Sequence, residues 1–403
     1  MLKRLWLGML VTLLLMTATK FIETTSLGHR IETFLFEALQ SQLPSFDSKE
    51  QMAIQVVDMT KIRRGKDQVT LRDALRKTIE AIVAQHPSAV GIDVDFSPGA
   101  SGWQDDDDPN FFDFCLKLKQ DSNVPIFLGV YRTIGERSDT WLGSDKYKAL
   151  AAALRVDEDT KRLPRWLLAK GSNEKLPMMS AALATSYRPS LPELAWKLSR
   201  TVEVTSDNTH GIERRGEDQM LLGLSLINYS KLEEIQRETI FTINPDAIAD
   251  SERALAGRMV LLGDATEFED PFPVPGRDTR IAGVYLIASA AYTLAVDPLY
   301  ELNGGARLTL DLLISILIIV RVEWLRFRYV KVRAGSRFDR AQSRSIWIAI
   351  VAVTLIGFLM TRWLNIMWFD FPLIVFALLL HPKVEHRLRS FWRMKKASAK
   401  STS

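Results

Sequence analysis

The sequence predicts an α/β fold: an extracytoplasmic domain with a mainly parallel sheet flanked by helices, plus four transmembrane helices, one N-terminal and three C-terminal. Three observations predict it. Strand-like apolar runs alternate with amphipathic helix-like runs between residues 50 and 132, the rhythm of βαβ units. Apolar residues form 47% of the 403-residue chain but concentrate at its two ends, as membrane anchors do. Basic residues crowd beside those ends, on segments that the positive-inside rule keeps cytoplasmic.

The N-terminus, "MLKRLWLGMLVTLLLMTATK", sets Lys3 and Arg4 ahead of an apolar run from Leu5 to about Thr19. Fifteen helical residues rise about 22 Å against a ~30 Å hydrocarbon core, so Phe21 and Ile22 must extend the span. A cleaved signal peptide has the same charged start and apolar centre. No small-x-small cleavage site precedes Lys20, which favours an uncleaved anchor over residues 1–22.

The extracytoplasmic domain is expected over residues 23–305. "SLGHRIETFLFEALQSQLP" spaces Ile31, Phe34, Leu35 and Leu39 as an amphipathic helix does. "QMAIQVVDM" reads as a buried strand and "TLRDALRKTIEAIVAQHP" as a helix, with Thr70 as N-cap, Asp73 in the first turn and Pro87 ending it. "AVGIDVDF" is a second strand, "PNFFDFCLKLKQ" a second helix and "VPIFLGVYR" a third strand. From about Thr133 to Glu217 the chain is rich in turns and charge; one helix, "SLPELAWKLSR", is expected there among insertions over one end of the sheet. Regularity returns with "LLGLSLINYS", the core strand "GRMVLLGDA", a polar loop "TEFEDPFPVPGRDTR" and the helix "GVYLIASAAYTLAVD".

Three further apolar runs, roughly Leu308–Val320, Ser345–Thr361 and Leu364–Leu380, are assigned as spans within residues 306–382. Charge supports them better than length. The stretch from Arg321 to Arg344 holds eight Lys/Arg against two acids, and the tail at residues 383–403 holds seven against one; both are therefore cytoplasmic. The link between the last two spans carries Trp363, Trp368 and Phe371, as an interfacial aromatic belt would. Asp311 either faces partners inside its span or lies in the outer headgroup zone with the span starting at Leu312; the second placement is cheaper. Arg321 then snorkels at the inner end. With Lys3 and Arg4 inside, four spans return the C-terminus inside, the topology of a multi-pass inner-membrane protein.

Of the formal net charge of +4, the loop accounts for +6, the tail for +6 and Lys3 with Arg4 for +2, while Asp311 adds −1; the remainder, which is the outer portion together with Lys20 and Arg307, keeps −9. Such a domain is a poor partner for nucleic acid, which needs a cationic surface. The basic loop and tail suit anionic lipid headgroups of the bilayer. Cys115 is the single cysteine, so neither an internal disulfide nor a thiolate metal cluster can form, and no cofactor is implied. A bacterial-type periplasmic domain of this size can bury enough core without disulfides.

"GIDVDFSPGASGWQDDDDPN" holds six aspartates in twenty residues. In an open parallel sheet, ligands bind beyond the C-terminal strand ends. Asp93, Asp95 and Ser97 end one strand, Tyr131 and Arg132 another, and Asp264, Glu267 and Asp270 follow a third; together they make one acidic mouth. Asp93, Asp95, Ser97, Asp264 and Asp270 are the candidate ligand-binding residues, suited to a cation, a polyamine-like molecule or a hydroxyl-rich solute. The competing reading is that Asp93 and Asp95 cap the following turn. Asp105 to Asp108 lack EF-hand spacing and a glycine turn, so they read as a solvated acidic loop, with Asp108 capping the next helix. Hydrolytic chemistry finds no support: of five histidines only His210 lies in a polar loop, "GLSLI" lacks the second glycine of a nucleophile elbow, and no HExxH or phosphate-binding loop occurs. No catalytic or metal-binding residue is assigned.

The order "MAIQVVDM", helix, "AVGIDVDF", acidic loop, "VPIFLGVY", and later "LINYS", "GRMVLLGDATEFEDPFPVPG" and "AGVYLIASAAYTLA" resembles the type 2 CHASE domain, the cyclase and histidine-kinase associated sensory extracellular domain. The resemblance covers roughly residues 25–300, and the family's usual plan of one leading and three trailing spans matches as well. It implies a sensor that passes an environmental signal, a small molecule or a protein, to a kinase or cyclase fused behind the last span. About twenty residues, seven of them Lys or Arg, follow Pro382, and Asp270 is followed by "PFPVPG" where the family often has Thr-Pro. The output is therefore expected in a separate cytoplasmic or membrane partner, with a homodimer compatible with the plan. An envelope scaffold subunit is the alternative, and a metal-dependent enzyme using Asp93 and Asp95 the next.

Overall fold

A computed structural model describes residues 25–40, 52–60, 63–64, 69–97, 108–131, 144–154, 161–164, 166–169, 175–189, 219–222, 225–241, 255–266, 271–301, 309–314 and 335–368, with a few isolated positions besides. The chain forms two units, residues 43–301 and a second built from residues 1–42 and 302–403.

The unit of residues 43–301 is built on six strands: β1 (Ile54–Asp58), β2 (Ala89–Ile92), β3 (Ile126–Val130), β4 (Ala151–Ala153), β5 (Ile240–Phe241) and β6 (Met259–Gly263). They are ordered β5-β1-β6-β2-β3-β4, and every pairing is parallel. The register sets Val57 opposite Leu262 and Leu262 opposite Ile92. All residues of β1, β2 and β6 are buried. A parallel sheet covered on both faces requires such near-continuous apolar strands, which is why these runs do not alternate.

On one face lie α2 (Arg72–Val83) and α3 (Asp108–Ser122). Leu75, Ile79 and Ile82 of α2 and Phe111, Phe112 and Cys115 of α3 join Val57, Val90, Ile92, Leu128, Val260 and Leu262 in one apolar core. On the other face α4 (Met179–Tyr187) packs along α6 (Gly283–Ala295), with α5 (Leu232–Glu238) beside it. Met179 and Leu183 press on Gly91, and Val284 presses on Gly263. Handedness explains this division: β1→α2→β2→α3→β3 advances one way across the sheet, whereas the return from β4 to β5, which carries α4 and α5, runs the other way, so right-handed crossovers leave the two sets on opposite faces.

Several expectations need correction. Thr70 is not the N-cap of α2; it pairs with Arg63 in a two-residue ladder, and Leu71 takes the cap position without a side-chain bond. Asp108 is not a solvated cap, because its carboxylate is fully buried against Arg72. The middle of the chain is not all insertion: Ala151–Ala153 is a strand of the main sheet and Met179–Tyr187 a core helix. A three-stranded antiparallel sheet of Lys175–Pro177, Trp166–Ala169 and Gln219–Leu222 accompanies them. The expected helix at residues 190–200 lies outside the described residues.

The turn that follows α2 closes at His86, whose φ of 54° is left-handed. Its carbonyl accepts from the Gly257 amide at 2.9 Å, which holds that turn. A non-glycine residue there carries a steric cost that glycine avoids. His86→Gly is expected to stabilise the protein by up to about 1 kcal/mol in chemical unfolding; destabilisation would contradict this.

The other unit contains α1 (Ser26–Gln40), in which Leu35 and Leu39 are buried as the amphipathic reading expects, but Ile31 is only half-buried, Phe34 is exposed and Phe36 is buried in its place. It also contains α7 (Gly335–Leu364). Among the described residues, Ile346–Leu364 is the one helical stretch long and apolar enough to cross a membrane, with mean hydropathy 1.9. The helix begins inside the segment expected to be a basic loop, so residues 335–344 extend α7 by more than two turns before the apolar part. Asp311 is 4% exposed and accepts from Trp368 Nε1 at 3.2 Å. A carboxylate in an apolar run is thereby given a donor from just beyond the end of α7.

Candidate functional site at the strand ends

Of three neighbouring strands, β1 ends in Asp58, and β6 and β2 are followed directly by Asp264 and Asp93. The chain leaves β1 and β2 toward the α2 and α3 face but leaves β6 toward α6, so the carboxyl end of β6 is a topological switch point. Chain directions diverge at that strand end, the kind of place where open α/β sheets bind ligands.

Two polar groups line this edge. In the first, Asp58 Oδ1 accepts from Thr60 N at 3.2 Å, Thr60 Oγ1 at 2.5 Å and Ala265 N at 3.0 Å, tying the loop after β6 to the end of β1. Thr60 Oγ1 also lies 2.9 Å from Asp264 Oδ1, and Asp264 in turn accepts from Thr266 N at 2.8 Å. A hydroxyl has one proton, so Thr60 donates to one of the two carboxylates at a time. The arrangement concentrates acceptors and suits an arriving donor, a cation or a hydroxyl. Met59 N donates to Gly263 O at 2.9 Å and Asp93 N to Leu262 O at 2.7 Å, so the ladder continues to the rim and fixes where each side chain starts. A Cβ on Gly263 would meet Asp93 Cβ at 3.0 Å and Val284 Cγ2 at 2.6 Å; only glycine lets the β6 end lie this close to Asp93 and α6.

In the second group, Asp95 Oδ1 accepts from Ser97 N at 2.8 Å, and Ser97 Oγ accepts from Tyr131 N at 2.9 Å. Ser97 is fully buried. These side chains satisfy backbone amides and close the ends of β2 and β3. Asp58, Asp93 and Asp264 thus form the central part of the rim, and Asp95 with Ser97 seals its flank. Asp270, Arg132 and Glu267 lie outside the described residues, as do Asp105 to Asp107. Asp58 was missed by sequence reading, although "QVVDM" repeats the apolar-run-then-Asp signature of "VGIDVD" and "LLGDA". No group of three or more His, Cys, Asp or Glu side chains among the described residues is arranged to hold a metal ion.

Away from the rim, Asp113 accepts from Lys146 Nζ at 2.5 Å and from the Tyr147 hydroxyl at 2.6 Å on the surface of α3. These bonds hold the Asp113 carboxyl below its usual range and Lys146 above its own. Burial pushes the Cys115 thiol far up, so it stays protonated and unreactive.

The CHASE2 domain family model matches residues 8–320, from the N-terminal apolar run through the central unit and into the first trailing run. The chain belongs to the CHASE2 domain family. CHASE2 domains are extracellular sensory domains, so the resemblance holds and the family is consistent with the sensory character that the resemblance implies. The six-stranded parallel sheet with helices on both faces is the architecture in which that family membership is realised here. No curated protein and no solved structure matches the chain.

Proposed function

We propose that this CHASE2 protein is a multi-pass membrane sensor whose central unit faces outward, binds an environmental signal at the acidic rim and passes it through the spans to a partner protein. The observation that carries this reading is the coincidence of family and site: a CHASE2 match over residues 8–320, with Asp58, Asp93 and Asp264 gathered at the switch point of its sheet. A donor-rich signal fits such a rim, either a polyamine-like cation or a hydroxyl-bearing solute. The basic stretches at residues 321–344 and 383–403, with Lys3 and Arg4, support a cytoplasmic side for the loop and both termini under the positive-inside rule. A ligand biases two arrangements of the unit only through its different affinity for them. The partner is a cytoplasmic or membrane output protein, and a homodimer fits the same plan.

Two measurements test the proposal. Protease added to intact cells should degrade residues 43–301 and spare a tag placed after Ser403; the opposite pattern removes the outward-facing domain. Full-length protein in nanodiscs should then show a thermal shift with spermidine or with a polyol, absent in Asp93→Asn/Asp264→Asn. A shift that persists in that variant places binding elsewhere.

A further inference from the structure

Glu301 is the last residue of the central unit, and the apolar run assigned as the first trailing span begins shortly after it, with residues 309–314 already helical. Whatever holds Glu301 therefore decides where the chain leaves the domain. The holder is not the six-stranded sheet. Arg162 Nε donates to Glu301 Oε2 and Arg162 Nη2 to Glu301 Oε1, both at 3.1 Å, across 139 residues of sequence. The two side chains are 9% and 6% exposed.

Arg162 belongs to a two-residue strand, Arg162–Leu163, paired antiparallel with Ser225–Leu226. Its extension, Ile227 N to Lys161 O at 3.0 Å, leads directly to Asn228. The Asn228 amide donates to Thr293 Oγ1 at 2.8 Å, and its Nδ2 donates to Asp297 Oδ2 at 2.7 Å. The small ladder thus grips the end of α6 and the exit segment 297–301 at three places. The same ladder is joined within three residues to the antiparallel sheet on each strand: Leu163 to Trp166, and Leu222 to Ser225. That sheet reaches the main one where Met178, just beyond Lys175–Pro177, bridges Ala153 of β4.

We propose that the Arg162–Glu301 pair, supported by Asn228–Asp297, is the clamp that couples rearrangement of the central unit to the first trailing span. The inference rests on the sensor reading and deepens it by naming the transmitting contact. A bidentate guanidinium–carboxylate pair is angularly specific, so it transmits orientation where apolar packing would slip. A buried pair adds little stability over an apolar replacement, yet breaking one side is costly, so it has two states: made, or released with both groups hydrated. That bistability suits a switch element.

The test uses the full chain in nanodiscs, spin-labelled at Asp278→Cys in the exposed outer loop and at Leu313→Cys in the trailing helix, both positions being exposed. Arg162→Met and Glu301→Gln should each shift or broaden the inter-label distance distribution, and the swap Arg162→Glu/Glu301→Arg should restore it. Amide exchange should rise on the order of a hundredfold at residues 225–228 and 297–301 in Arg162→Met, with β1 and β6 unchanged as the control for folding. Unaltered distances in both single variants would overturn the clamp, even if exchange rises, because the pair would then be only local support. The topology and ligand tests above fail or succeed independently of this outcome, which separates loss of the clamp from loss of the sensor.

Discussion

Replacing Asp108 with alanine is expected to destabilise the central unit by about 3–5 kcal/mol, measured by chemical unfolding of the full chain in detergent. Asp108 opens α3 and Arg72 opens α2; Arg72 Nε donates to Asp108 Oδ1, with the two side chains 2% and 0% exposed. The guanidinium is enclosed by aromatic rings, its carbon 4.6 Å above the centroid of Phe96 and 5.9 Å above that of Phe111. Phe96 and Phe111 are themselves stacked at 5.5 Å. Alanine at 108 leaves the guanidinium buried against the rings with that carboxylate gone. The double change Arg72→Met/Asp108→Leu, which removes both charges, should recover most of the loss. A single-variant cost under about 1 kcal/mol would show that the cage admits solvent.

Gly129→Val is expected to cost about 3 kcal/mol, the upper end of overpacking, because its neighbours include backbone. A Cβ at Gly129 would lie 2.3 Å from Leu154 Cδ1 and 2.7 Å from the Val94 carbonyl oxygen. Leu154 could rotate, but the Val94 carbonyl belongs to the loop that crosses the end of β3. The Phe96 amide donates to Gly129 O at 2.9 Å, so the loop lies flat on the strand. The substitution should therefore also lift Asp95 and Ser97 from Tyr131 and raise amide exchange there. Gly91 provides the contrast: its closest approach, 2.7 Å, is to Met179 Sδ, a flexible chain end that can yield. Equal costs for valine at the two positions would refute the backbone account.

Legibility followed local pattern. β1, β2, β3 and β6 were readable because each is a short apolar run bounded by polar residues, α2 because Leu75, Ile79 and Ile82 recur at helical spacing ahead of Pro87, and α6 because a long apolar run stops before Asp297 and Pro298. The helix α4 escaped because it has no polar face to mark: Met179, Ser180, Ala181, Ala182, Leu183 and Ala184 are all buried, so the 3.6-residue period is silent. β4 is three alanines and β5 two residues, too short for any periodic signal. In the site, Asp93 and Asp264 were visible as aspartates closing apolar runs. Asp58 carries the same mark, but "VVDM" returns to an apolar residue and looks like unbroken strand. Asp108 misled because three neighbouring aspartates made it look solvated, whereas its partner lies 36 residues away on another helix.

Sequence alone determined the segregation of apolar ends from a charged centre, the bias of basic residues toward the trailing segments, and the βαβ rhythm. Those are properties of residue type and spacing. Only the tertiary structure decided that β6, late in the chain, inserts between β1 and β2 and brings Asp58, Asp264 and Asp93 to one edge. Periodicity encodes which face of a strand is buried but not which strand lies beside it; that choice belongs to packing among segments some two hundred residues apart.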